Sequence, residues 1–127
     1  MKPRIDRRLE RVRSRLSRVT ARQVAAEQAA GALLVDTRTE AQRRRDGSIP
    51  GALVIDRTVL EWRLDPTSPW RIPEAESADT RVIVVCAQGY SSSLAAASLQ
   101  AVGLRNVTDM IDGFEGWRAA DLPIDAV

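Results

Sequence analysis

Cys86 is the only cysteine among the 127 residues, and the chain contains no histidine. One thiol excludes an internal disulfide framework and any site that binds a metal through several thiolates. The absence of histidine excludes Ser-His-Asp catalysis, Cys-His catalysis and zinc sites with imidazole ligands. We therefore expect no metal and no cofactor, and we expect covalent chemistry to use the Cys86 thiol together with backbone amides, carboxylates or arginines.

The residues that follow Cys86 can support a reactive thiol without a neighbouring cation. Gly89 can adopt a positive φ, which lets successive backbone N–H groups point toward one atom. A helix that begins near Ser92 would add the positive end of its dipole, worth up to ~2 kcal/mol, and ~1.36 kcal/mol corresponds to one pKa unit. Main-chain groups can therefore make the thiol nucleophilic. The expected substrate-binding residues are those of this loop: Ala87, Gln88, Gly89, Tyr90, Ser91 and Ser92.

A free cysteine can also be a small buried core residue with no chemical role. Here its position favours a functional role, because residues 81–86 are rich in β-branched side chains and predict a buried strand that ends at Cys86. Ligands bind at the carboxyl edge of open parallel sheets. We therefore interpret Cys86 as an active-site nucleophile.

Strand and helix patterns alternate along the chain. Capping boxes begin helices after Thr20 and Thr39, and Gly103 is placed to end a third helix. Strands are predicted over 32–36, 52–55, 81–86 and 107–111, and helices over 21–30, 40–45, from Thr58, from a cap at Ser91 or Ser92 to Val102, and over 114–120. Alternation of this kind predicts an α/β fold, with a parallel sheet flanked by helices on both faces.

The N-terminal residues differ in charge from the rest of the chain. Residues 1–20 contain eight basic and two acidic residues, whereas residues 21–127 have a net charge of −4. Leu9, Val12, Leu16 and Val19 recur at helical spacing, so residues 1–19 are predicted as a basic amphipathic arm and residues 20–127 as the domain. The apolar stripe could pack on the domain or on a second subunit, or the basic face could contact nucleic acid or a membrane. We favour packing, because the domain does not extend the basic surface.

The sequence also bears on location. No apolar segment follows the basic residues, and the longest apolar run, Val82 to Ala87, is far shorter than the ~20 residues of a membrane-spanning helix. We therefore expect a cytoplasmic protein. One lysine against 18 arginines indicates a GC-rich bacterial genome.

Four segments resemble motifs of the rhodanese-like family of single-domain sulfurtransferases, and together they span about residues 22–124. Residues 35–38, Val-Asp-Thr-Arg, resemble that family's Asp-x-Arg strand end. Residues 47–52, Gly-Ser-Ile-Pro-Gly-Ala, are similar to its Gly-His-Ile-Pro-Gly-Ala turn. Residues 86–92 resemble its active-site pattern Cys-x-x-Gly-x-Arg-Ser. Residues 112–117 and 122–124, Asp-Gly-Phe-Glu-Gly-Trp and Leu-Pro-Ile, resemble its terminal segment Gly-Gly-x-x-x-Trp…Gly-x-Pro-Val.

The resemblance implies a rhodanese-like fold and a sulfurtransferase activity. Cys86 would take a sulfane sulfur from a donor such as thiosulfate, hold it as a persulfide and pass it to a thiol or another nucleophile. The implied partners are a small sulfur donor and a thiol or protein acceptor, for a monomer or a homodimer. We interpret Asp36 and Arg38 as a supporting ion pair near the strand ends. We expect the basic arm to be dispensable for sulfur transfer.

The chain departs from the family pattern at Ser91 and Ala87, where arginines are usual or frequent. Without them the loop attracts dianionic thiosulfate less strongly, which favours a less charged donor or a protein persulfide. The same departures leave open a catalytically weak rhodanese-like module that binds a protein partner. Related phosphatases need Cys-x₅-Arg to clamp phosphate, and Ser92 at that position excludes them.

Overall fold

The computed structural model describes all 127 residues and contains the alternating elements that the sequence predicts. The helices are α1 (Arg4–Arg13), α2 (Ala21–Ala29), α3 (Glu40–Asp46), α4 (Leu60–Leu64), α5 (Ser91–Val102) and α6 (Gly113–Ala119). The strands are β1 (Leu33–Asp36), β2 (Leu53–Val54), β3 (Val82–Val85) and β4 (Val107–Asp109), and a short 3₁₀ turn covers Arg57–Val59.

The four strands form one parallel sheet in the order β2-β1-β3-β4. β1 and β3 occupy the centre, and their register pairs Asp36 with Val85. Their carboxyl ends therefore lie side by side, and Asp109 closes β4 at the same edge. This edge brings together the residues that end three strands, as expected for a ligand site in an open parallel sheet.

Helices cover both faces of the sheet, which confirms the predicted α/β architecture. One face packs on α4 and α5 through a core that includes Val35 and Val84. The other face packs on α2 and α6 through Leu34, Ile83 and Val85. Because both faces are buried, the central strands are apolar at successive positions instead of alternating with polar residues.

Most local signals are confirmed. Thr20 and Thr39 both form complete capping boxes, and α5 ends at Gly103 in a left-handed conformation. Trp62 is a large apolar side chain that lies outside the core and is exposed. In the five-residue helix α4, Leu60 and Leu64 lie one turn apart and fill the core, which leaves Trp62 facing solvent.

The basic arm, residues 1–19 and hereafter the N-terminal segment, lies against the domain of its own chain. Leu9, Val12 and Leu16 are buried, and Leu16 belongs to the same core as α4 and α5. Val19 then pairs with Met110 in a parallel bridge beside the end of β4. None of the helices in this structure combines the length and the apolar character that crossing a membrane requires.

Candidate active site

Cys86 directly follows β3 at the carboxyl edge of the sheet. The residue is 6% exposed, and it lines a cavity of about 220 Å³. The other residues that line the cavity come from the loop itself and from the segment that follows β1: Ala87, Gln88, Tyr90, Ser91, Thr37, Arg38 and Gln42. The sulfur is therefore protected from bulk solvent but borders a space that can hold a small substrate.

Two main-chain N–H groups point at the sulfur. The Gly89 N–H donates to Cys86 Sγ over 3.2 Å, and the Ser92 N–H donates over 3.3 Å. Gly89 adopts φ = +84°, and a Cβ atom built there would lie 2.8 Å from the backbone nitrogen of Asp112. The loop therefore needs glycine at this position, both for its conformation and for the close approach of the chain after β4.

The first turn of α5 is capped by the sulfur. The prediction that Ser91 or Ser92 caps this helix is wrong, because Tyr90 occupies the N-cap position, and the Tyr90 side chain makes no capping hydrogen bond. A capping oxygen normally accepts from the second or third N–H of a helix. Cys86 Sγ accepts from Ser92, the second residue of α5, and so takes that place.

The loop carbonyls are bonded by groups outside the loop. Phe114 N–H donates to Cys86 O over 2.8 Å, and Glu115 N–H donates to Ala87 O over 3.1 Å. Both donors belong to the first turn of α6. With these carbonyls directed away from the cavity, the N–H groups at Ala87, Gln88, Tyr90 and Ser91 have no acceptor in the protein. Besides the two N–H groups bound to the sulfur, the loop thus has four N–H donors that are available to a ligand.

Opposing effects determine the pKa of the Cys86 thiol. Burial raises the pKa, while hydrogen bonds from the Ser92 and Ser91 side chains and from the Ser92 and Gly89 N–H groups lower it, and the hydrogen bonds prevail. The Ser92 hydroxyl carries only one proton, and in the structure it lies 2.7 Å from Asp109 Oδ2, to which it donates. We therefore attribute the lowered pKa chiefly to the main-chain donors, whose distances to Sγ are explicit.

A buried carboxylate supports the first turn of α5. Asp109 is completely buried and accepts hydrogen bonds from the hydroxyls of Ser92 and Ser93 over 2.7 and 2.8 Å. Arg18 pairs with the same carboxylate, with Nε 2.9 Å from Oδ1. Asp109 therefore fixes the start of the helix whose N–H group contacts the sulfur.

Asp36 and Arg38 form a buried ion pair at the end of β1. Arg38 Nη2 lies 2.8 Å from Asp36 Oδ2 and also donates to Gly47 O over 2.9 Å. The guanidinium lies 3.9 Å from the centre of the Phe114 ring, and its Nη1 atom has no hydrogen-bond partner. Arg38 therefore joins β1, the turn over residues 47–52 and α6. Arg38 also borders the cavity, whereas Asp36 does not.

The other loop side chains surround the cavity mouth. Gln88, Tyr90 and Ser91 are exposed, and Tyr90 lies 5.6 Å from the guanidinium of Arg13. Sequence reasoning missed Arg13, Arg18 and Asp109. For Asp109, the occurrence of a carboxylate inside the strand predicted over 107–111 was a usable signal. The two arginines gave none, because they reach the loop only through the packing of the N-terminal segment.

Comparisons with known proteins agree with this geometry. A family model described as Rhodanese-like domain matches residues 20–120. Thiosulfate sulfurtransferase GlpE of Pseudomonas entomophila is 36% identical over 107 residues, which cover 84% of this chain and 88% of that protein. The GlpE protein of Haemophilus influenzae is 46% identical over 52 residues, which cover 41% of this chain. The match spans about half the length of that relative, 50%.

Solved structures share the fold. A protein of unknown function from Rhodopseudomonas palustris, described as a possible tyrosine phosphatase, has a TM-score of 0.86 and 33% identity, with 98% of this chain and 96% of that chain covered. A rhodanese-related protein from Thermoplasma volcanium has a TM-score of 0.67 at 23% identity, covering 87% and 98%. With the cysteine loop at the carboxyl edge of the sheet and a family match over most of its length, this chain belongs to the rhodanese-like domain family.

Proposed function

We propose that the protein is a sulfurtransferase that moves a sulfane sulfur from thiosulfate or a persulfide to a thiol acceptor through a persulfide on Cys86. The observation that carries the proposal is the set of N–H groups around the sulfur. Gly89 and Ser92 bind Sγ, and the neighbouring loop N–H groups are available for a second sulfur atom. A single thiol in a chain without disulfides also suits a reducing compartment such as the cytoplasm.

The reaction divides into two displacements at sulfur. In the first, the Cys86 thiolate attacks the outer sulfur of thiosulfate, the S–S bond of the donor breaks, and sulfite leaves with the electron pair. In the second, an acceptor thiolate attacks the terminal sulfur of the persulfide, the bond to Cys86 breaks, and the Cys86 thiolate is restored. Each step passes negative charge between sulfur atoms, so fixed N–H dipoles around them lower the barrier.

The side chains at the cavity mouth support a persulfide donor over thiosulfate. Gln88, Tyr90 and Ser91 carry no charge, and a neighbouring groove contains the acidic residues Asp112 and Glu115. The charge of Arg38 is engaged by Asp36. These side chains therefore give a dianion little attraction on approach, whereas a donor with less charge does not depend on such attraction.

The geometry does not favour a phosphatase, although one structural relative is described as a possible tyrosine phosphatase. A phosphatase of this kind needs an arginine fork against the phosphate oxygens. Ser92 stands at the corresponding position, is fully buried and bonds to Asp109. No side chain of the cysteine loop can therefore clamp a phosphate.

The test uses the intact protein and its Cys86→Ala variant. We expect incubation with inorganic polysulfide or thiosulfate to add one sulfur to the wild-type mass, and we expect the addition to disappear when a thiol acceptor is supplied. Intact-mass spectrometry measures both steps. The Cys86→Ala protein should gain no sulfur. A wild-type protein that gains no sulfur from either donor would instead be the binding module that the missing loop arginines permit.

A further inference from the structure

Two arginines of the N-terminal segment reach the loop that contains Cys86. Arg13 Nη2 donates to Gly89 O over 2.7 Å, and Arg18 Nη2 donates to the same oxygen over 2.9 Å. The two backbone polar groups of Gly89 therefore have different partners: the carbonyl accepts from the arginines, and the N–H group donates to Cys86 Sγ. The sulfur and the two guanidinium groups contact the same glycine.

The two arginines are also joined through the first turn of α5. Arg13 Nε donates to the Ser93 hydroxyl over 3.0 Å, and that hydroxyl donates to Asp109. Arg18 binds both oxygens of Asp109, over 2.9 and 3.1 Å. Two guanidinium groups and one carboxylate leave a net charge of +1 in this network, which is part-buried beside the loop.

We propose that Arg13 and Arg18 are positioning residues for Cys86. They hold the Gly89 carbonyl, and with it the Gly89–Tyr90 peptide plane, so that the loop keeps the Gly89 N–H group directed at the sulfur, and they supply the positive charge that the loop's own side chains lack. The role in sulfur transfer rests on the proposed function. The role in setting the reactivity of the thiol does not depend on the proposed function.

The physical reason lies in the freedom of glycine. Gly89 has no Cβ atom, and at φ = +84° its peptide units can rotate more readily than those of another residue. Two charge-assisted hydrogen bonds to one carbonyl oxygen oppose that rotation. The other loop carbonyls, at Cys86 and Ala87, are held by neutral N–H groups of α6. The arginines therefore secure the part of the loop that α6 does not reach.

The remaining arginines of the segment behave differently. Seven arginines lie between residues 1 and 18. Only Arg13 and Arg18 donate hydrogen bonds to the domain, whereas Arg11 and Arg15 are exposed. Docking of the segment is already explained by its buried apolar residues. The two loop contacts therefore add a specific function to a segment that would pack without them.

The experiment compares Arg13→Ala with Arg11→Ala and Arg15→Ala, which remove the same charge from exposed positions of the same segment. The first readout is the rate of Cys86 alkylation by iodoacetamide as a function of pH. The second is the rate of sulfur transfer from inorganic polysulfide to a small thiol. We expect Arg13→Ala to move the alkylation midpoint to higher pH and to lower kcat about tenfold with little change in KM, the size expected when one charge-assisted hydrogen bond is lost.

Two further variants separate an effect on positioning from an effect on folding. Arg13→Lys keeps the charge but provides a single point donor, so we expect it to restore part of the lost rate. Arg18→Ala removes the same contact but also leaves the buried Asp109 carboxylate without its ion pair, so we expect lower stability in addition to the shifted midpoint.

The outcomes distinguish the two proposals. If Arg13→Ala has the same alkylation midpoint and the same kcat as Arg11→Ala, the positioning role is overturned, even if the wild-type protein forms a persulfide. If the wild-type protein forms no persulfide but Arg13→Ala still shifts the midpoint, the sulfurtransferase proposal fails and the positioning role of the arginines stands.

Discussion

At the scale of single residues, the position of Cys86 explains how main-chain groups can stabilise a thiolate although no cationic side chain bonds to the sulfur. The sulfur follows β3 directly and accepts from Gly89 and from Ser92, so it receives one donor from a turn and one from a helix start. A thiolate accepts these bonds more strongly than a neutral thiol does, which favours ionisation. In a persulfide the negative charge would move to the outer sulfur atom, for which the neighbouring loop N–H groups are available.

The pKa of Cys86 can be tested through its alkylation rate. Burial raises the pKa, but hydrogen bonds, chiefly from the main-chain N–H groups of Gly89 and Ser92, hold it below its ordinary value of 9.0. Because only the thiolate reacts, we expect the rate in the folded protein to rise with pH at a lower midpoint than in the urea-unfolded protein. The depressed pKa also implies that thiolate-linked stability is fully present above the ordinary value and is lost as pH falls through the folded pKa. Equal midpoints in the two states would contradict this.

At the scale of elements, α6 determines how closely the chain after β4 approaches the cysteine loop. Gly113, the first residue of α6, adopts φ = +55°, and a Cβ atom built there would lie 2.7 Å from Gly89 N. That nitrogen is the donor to Cys86 Sγ. A side chain at position 113 would therefore displace a group that contacts the sulfur.

Gly113→Ala should reduce the reactivity of Cys86 more than its effect on stability explains. Gly31→Ala is the matched control, because Gly31 also has a positive φ, of +107°, but no atom lies within 4 Å of an added Cβ. We expect backbone strain of about 1–3 kcal/mol to lower the unfolding free energy of both variants. Only Gly113→Ala should slow alkylation and sulfur transfer, by at least about tenfold. Denaturant titration and the two rate assays measure these effects, and equal rates in both variants would refute the steric explanation.

Elements that depend on local signals could be predicted, whereas contacts between distant segments could not. The capping boxes at Thr20 and Thr39 use residues three positions apart, so the sequence contains the whole motif. The cap of α5 was mispredicted because the acceptor is Cys86 Sγ, which competes with the nearby serines. The approach of Arg13 to Gly89 joins residues 76 positions apart and depends on how the N-terminal segment packs, which no local pattern specifies.

At the scale of the whole molecule, the N-terminal segment, the sheet edge and the cysteine loop form a continuous structure. Val19 bonds through both its N–H and its carbonyl to the backbone of Asp109 and Ile111. Leu16 lies in the main core. An amphipathic helix binds a membrane with its apolar face, but here that face is buried against the domain. From sequence, the segment was expected to be dispensable for sulfur transfer. Because Arg13 and Arg18 contact the loop, we now expect sulfur transfer to depend on the segment.

The N-terminal segment should therefore unfold together with the active site. Leu9 is 5% exposed whereas Ile5, on the same helix, is 53% exposed, so the two alanine variants compare a buried with an exposed apolar side chain. We expect Leu9→Ala to lower the unfolding free energy by about 2–5 kcal/mol and Ile5→Ala to change it by less than about 0.5 kcal/mol. In urea, tryptophan fluorescence and the alkylation of Cys86 should give coincident transitions for both variants, because a cooperative unit loses all its contacts at once. If Leu9→Ala instead released the segment at a lower urea concentration than the tryptophan transition, and Cys86 kept its native reactivity, the segment would be an independent appendage and its arginines could not position the loop.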